Sequence, residues 1–105
     1  MRGRGLAVKR GEVWTLDDGR NVLVISLDGL EGAYGAVLTI VLHPAGRFPD
    51  TAMSVTIEEP LPCTAVAVNI QQLRTTRFEE AKPHGSVDPA TMERVDQALR
   101  AVLDL

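Results

Sequence analysis

A mainly β fold carrying one helix at its C-terminal end (α+β) is what this sequence predicts, and three observations predict it. Short runs rich in Val, Leu, Ile and Thr recur through the first two thirds of the chain, most of them bounded by Gly, Pro or Asp turn signals. After Asp88 the apolar residues change to a spacing of three and four, the helical period. The chain has 105 residues, enough for one domain with one modest core. Strands followed by a single helix suit a small barrel on which that helix docks.

The elements follow in order. Residues 1–10 are rich in Gly and Arg with weak patterning and are expected as a flexible basic arm ahead of a single domain over 11–105. Residues 12–16 alternate polar and apolar, as a half-buried strand does. Asp17, Asp18 and Gly19 make a tight-turn signal. Residues 21–27 then form a buried strand pairing back on the first. Residues 28–35 hold Gly29, Gly32 and Gly35 and read as a loop with room for one helical turn. Residues 36–42 are a third strand, ended at His43-Pro44 because proline cannot donate to a ladder. A fourth strand is expected over 52–57, a proline-bounded turn over 58–62, a fifth strand over 64–70 and a short sixth over 73–78. The helix is the clearest element. Asp88 is a good N-cap and Pro89 stands at the first helical position, where a missing N–H costs nothing. Met92, Val95, Ala98, Leu99, Val102 and Leu103 then form one apolar stripe, which reads as core.

Composition excludes several classes. Hydrophobic residues make up 45% and charged residues 24%, which argues against disorder. The net charge of -3 argues against a purely electrostatic nucleic-acid binder. Any such binding must use a local patch, for which Arg2, Arg4, Lys9, Arg10, Arg20, Arg47, Arg74 and Arg77 are available; the alternative is a mixed solvated surface. No apolar run approaches the roughly 18 residues of a membrane span, and no secretory apolar segment follows the basic N-terminus. No membrane partner is expected, and the cytoplasm is the default location. Cys63 is the only cysteine, so no intrachain disulfide forms; a small buried thiol is the expected role. His43 and His84 stand apart without metal-ligand spacing, so no metal and no cofactor are expected.

Three stretches carry a family resemblance. Arg10-Gly11-Glu12-Val13-Trp14 resembles the opening strand of the MazF/PemK toxins of type II toxin–antitoxin systems. Gly19-Arg20-Asn21-Val22-Leu23-Val24-Ile25-Ser26 is similar to their next strand. The run from Thr64 to Leu105 resembles their C-terminal half, through Gln72-Leu73-Arg74-Thr75, His84-Gly85-Ser86-Val87 and Met92 to Leu99. The matches fall in order and cover most of the chain. They imply an SH3-like barrel of the CcdB/MazF/PemK type, a homodimer in a bacterial cytoplasm, and a cognate antitoxin. They also imply sequence-specific cleavage of single-stranded RNA (mRNA) without a metal ion.

That chemistry requires a proton acceptor, a proton donor and positive charge on the phosphorane. Arg20 matches the arginine after the family's first hairpin, and an arginine fork suits a phosphate. Apart from the resemblance, Arg20 reads as a surface residue flanking a hairpin. Asn21 stands where the family has proline. Gln72 matches a glutamine of the site and dimer face, while Gln71 replaces the preceding acid. Arg74 and Thr75 also match, in a role as much structural as catalytic, and Arg47 is a further candidate for RNA contact. The first turn is shorter than the family's loop over the RNA site. The family's catalytic threonine is absent, and His43 falls at or next to its position. Two readings follow. Either His43 serves as general base or acid, an imidazole being better matched to neutral pH than a hydroxyl, or the nuclease is weak or inactive. In the second case the protein acts by binding, as an antitoxin decoy or an inhibitor of DNA gyrase. His84 reads as a surface residue.

Overall fold

The computed structural model describes residues 8–49 and 51–105. Nine elements follow one another: β1 (Glu12–Thr15), β2 (Asn21–Val24), α1 (Leu30–Tyr34), β3 (Ala36–Pro44), β4 (Ser54–Ile57), β5 (Cys63–Arg74), a 3-10 turn (Thr75–Phe78), β6 (Lys82–Ser86) and α2 (Pro89–Leu103). The strands form one antiparallel sheet in the order β4-β5-β3-β2-β1-β6. The sheet curls into a half-barrel, as expected of the mainly β chain with its terminal helix.

Both faces of the sheet are buried, which is why β2 reads as an unbroken apolar run rather than an alternating one. Val13, Leu23, Ile40, Leu42, Ile57 and Ala65 point to one face, where Met92, Val95 and Ala98 of α2 close over them. Trp14, Leu16, Val22, Val24, Val37 and Leu73 point to the other and enclose Phe78 and Val8. In this second core Trp14 and Phe78 meet edge to face, centroids 5.2 Å apart, the arrangement that aromatic quadrupoles favour.

β5 serves both cores by changing face partway. Its pairing with β3 runs from Ile40↔Ile70 to Leu42↔Ala65, so two steps on β3 span five on β5. Before this bulge Cys63, Ala65 and Ala67 lie in the helix-side core; after it Leu73 lies in the other. Cys63 is buried as expected, and burial pushes its thiol up to about 11, so it stays protonated and unreactive at neutral pH. The neighbouring Thr64 hydroxyl is buried with no hydrogen-bond partner among the described residues.

The helix begins where expected. The Asp88 carboxylate accepts the Thr91 backbone N–H at 2.7 Å, with Pro89 in the first turn. Two expectations change. Of the arm proposed over residues 1–10, residues 1–7 lie outside the described residues, while Val8 is a core residue and Arg10 belongs to the fold. Arg10 donates its backbone N–H to Asp28 and its Nε to the Ile25 carbonyl, and its guanidinium pairs with Asp96 of α2, tying β1 to the helix. The sixth strand expected over 73–78 is instead the end of β5 followed by a 3-10 turn. The true last strand is β6, an edge strand whose residues are mostly exposed. Pro83 and Gly85 within it hide any strand pattern.

Candidate functional site

The β1–β2 hairpin fixes Arg20. Leu16 N–H donates to the Arg20 carbonyl, and Gly19 takes a positive φ of 92° in the turn, a conformation that glycine adopts without strain. β2 pairs with β3 through Val22↔Val41 and Asn21↔Leu42. Arg20 and His43 each lie one residue beyond Asn21↔Leu42, the last pair of that ladder, so continuing its register would bring them to the face of Val22 and Val41. Gln71, two residues before Leu73, shares that face. Arg20 Nη1 donates to Gln71 Oε1 at 3.1 Å and Nε to Asp18 Oδ2 at 2.9 Å. His43 Nε2 lies 2.8 Å from Asn69 Nδ2, and its ring meets Phe48 edge to face at 4.9 Å. Its Nδ1 has no partner among the described residues. Arg20, His43, Asn69 and Gln71 thus form a half-exposed polar strip beyond the edge of the second core.

Asp18 anchors the strip's outer end. Its carboxyl is held below the usual carboxylate range, first by the Arg20 backbone N–H and then by the Arg20 and Arg77 side chains. Arg77, on the 3-10 turn, donates Nη2 to the same Asp18 Oδ2 at 3.2 Å and lies 3.7 Å from Asp17.

The other expected site residues lie elsewhere. Asn21 shares the face of Leu23, opposite Arg20. There the Thr15 hydroxyl donates to Asn21 Oδ1 at 2.6 Å and stands 2.6 Å from His84 Nε2. His84 is therefore half-buried in a hydrogen-bonded chain rather than a plain surface residue. Gln72 and Arg74 line a shallow cavity of about 300 Å³ with Tyr34 and Ala36, beside α1 and away from Arg20. Thr75 donates its backbone N–H and hydroxyl to the Gly35 carbonyl and starts the 3-10 turn, a structural task. Arg47 is exposed on the turn after β3. Asn69 was not singled out by sequence reasoning, and Arg77 only as one of several basic residues available to a patch. The bulge in β5 and the fold-back of the 3-10 turn bring them in, and neither leaves a periodic signal. No group of three or more His, Cys, Asp or Glu side chains among the described residues is arranged to hold a metal.

A curled antiparallel sheet with one docked terminal helix, and an arginine–amide–imidazole strip on the face away from that helix, define a small SH3-like half-barrel with a polar site. The chain belongs to the PemK-like, MazF-like toxins of type II toxin–antitoxin systems, whose family model matches residues 9–103. Among solved structures it is similar to an endoribonuclease from a mycobacterial species, at 25% identity and a TM-score of 0.85, covering 98% of this chain and 97% of that one. A mycobacterial endoribonuclease in complex with its cognate antitoxin shares 25% identity, with a TM-score of 0.78 over 94% of this chain and 97% of that one. A MazE–MazF complex from Deinococcus radiodurans shares the fold at 18% identity, with a TM-score of 0.77 over 94% of this chain and 98% of that one. No curated protein matches the chain.

Proposed function

We propose that the protein is an endoribonuclease toxin that cuts single-stranded RNA by attack of a 2′-hydroxyl on the adjacent phosphate. The observation that carries this reading is that Arg20 and His43 each flank the last β2–β3 pair, Asn21↔Leu42, in a chain of this family. Arg20 binds the phosphate and stabilises the charge of the phosphorane. His43 accepts the 2′-hydroxyl proton through Nδ1 in the tautomer whose Nε2–H donates to the Asn69 amide, the amide being turned to present its oxygen. The 2′-oxygen–phosphorus bond forms and the phosphorus–5′-oxygen bond breaks. The imidazolium returns its proton to the departing 5′-oxygen, leaving a 2′,3′-cyclic phosphate and a 5′-hydroxyl. Gln71 steadies Arg20 where the family has an acid, without adding a further negative charge beside the guanidinium.

A cognate antitoxin and a second copy of the chain are the expected partners. The antitoxin complex of the mycobacterial endoribonuclease and the MazE–MazF pair support the first. The test is RNA cleavage in EDTA by wild type, Arg20→Ala and His43→Ala. Wild type is expected to cut, with Arg20→Ala and His43→Ala each slowed about 100-fold or more. Wild type that leaves a varied RNA pool intact at stoichiometric excess, while still binding its antitoxin, overturns the nuclease reading in favour of action by binding.

A further inference from the structure

Arg20 and Arg77 converge on a single oxygen. Asp18 Oδ2 lies 2.9 Å from Arg20 Nε and 3.2 Å from Arg77 Nη2. The other carboxylate oxygen, Oδ1, is fixed by the Arg20 backbone N–H at 3.0 Å. Two cationic forks aimed at one anionic oxygen can grip a phosphate oxygen in the same way, and the carboxylate marks where that oxygen would sit. The three side chains are more than a third exposed, so water and salt weaken their pairing and an incoming anion can reach it. Asp17 adds a second carboxylate at 3.7 Å from Arg77. Two arginines and two aspartates cancel, so the spot carries no net charge and adds nothing to the attraction of RNA until a carboxylate is displaced.

We propose that Arg77 and Arg20 together form a two-arginine seat for an RNA backbone phosphate, with Asp18 as its resident anion. This rests on the endoribonuclease reading and deepens it. Arg77 supplies a second contact on the strand that Arg20 holds. Asp18 competes with the substrate, keeping the seat closed to weakly bound anions and open to a polyanion held at several points. The short Asp17–Gly19 turn thereby acts as a built-in competitor in the place where a longer loop would lie over the RNA.

The test is equilibrium binding of a random-sequence 2′-O-methyl RNA pool, which cannot be cleaved because its nucleophile is capped. Fluorescence anisotropy is followed against salt concentration. Arg77→Gln is expected to weaken binding about tenfold and to lower the slope of log affinity against log salt by about one. Arg77→Lys keeps the slope and recovers part of the affinity. Asp18→Asn keeps the turn's Oδ1 acceptor but removes the charge, and is expected to tighten binding several-fold and steepen the slope. Thermal melts of each variant establish that it is folded. If Arg77→Gln or Asp18→Asn binds like wild type while Arg20→Ala loses binding, the two-arginine seat is wrong and the nuclease reading survives. If wild type itself binds no RNA at low salt, both fall together.

Discussion

Thr64 shows how one atom can work against its surroundings. Its methyl group and backbone suit β5, while its hydroxyl is buried without a partner among the described residues. An unsatisfied buried hydroxyl costs about 1–3 kcal/mol, and valine has nearly the same shape. Thr64→Val is therefore expected to stabilise the protein by about 1 kcal/mol, raising the melting temperature by about 4 °C or more. A fall in melting temperature in a calorimetric scan would mean that the hydroxyl is satisfied in solution. At this scale the sequence was only partly legible. Arg20 stood out through its motif. Gln71 was visible only as a replaced acid and Asn69 not at all, and the path of β5 shows that they contact Arg20 and His43. Arg77 looked like any surface arginine because its meaning depends on Asp18, remote in sequence and adjacent in space.

Among the elements, α2 was the most legible because its start is written in chemistry as well as pattern: Asp88 caps, Pro89 follows and the apolar stripe faces the sheet. Hydrogen bonds from Thr91, first from its side chain and then from its backbone N–H, hold the Asp88 carboxyl below its ordinary value of 3.8. A carboxyl whose pKa is depressed on folding adds stability that is present above the unfolded value and lost as pH falls through the folded one. The cap's contribution is thus complete at neutral pH and fades below pH 3.8. Asp88→Ala is expected to lower the melting temperature at neutral pH, with the gap to wild type narrowing in acid. Melts from pH 7 down to about 2.5 check this, and a gap that stays constant would show that the carboxylate charge contributes nothing. β6 was illegible for the opposite reason. An exposed edge strand needs no alternation of apolar residues, and Pro83 and Gly85 imitate a loop. The break after Arg74 was also hidden, since Leu73 and Phe78 lie in one core but on two different elements.

For the whole molecule, the class of fold was legible and the layout of its cores was not. A terminal helix suggests one covered face, whereas this sheet is covered on both, and the residues 8–10 expected in a loose arm help close the second core and brace the helix. Apolar side chains nevertheless remain outside: Tyr34 is 74% exposed, Leu27 73% and Val68 64%. The homodimer that the family resemblance implies would offer these side chains cover. Sedimentation at micromolar concentration is expected to give twice the mass of one chain; a monomer there would remove the dimer from the account. No helix among the described residues is long and apolar enough to cross a membrane.

A half-barrel that stops short of closing keeps two rims, and unpaired rims are where foreign strands add and fibrils begin. Here the two ends of the sheet are blunted in different ways. At β6, Pro83 lacks an N–H and Lys82 brings charge, so a docking strand meets a broken ladder. At β4, Arg94 of α2 reaches over and donates to the Thr56 carbonyl, occupying part of the rim from within the same molecule. The irregular last strand that concealed itself from pattern reading is thus also a guard, and a substitution restoring a smooth β pattern at Pro83 would trade solubility for order.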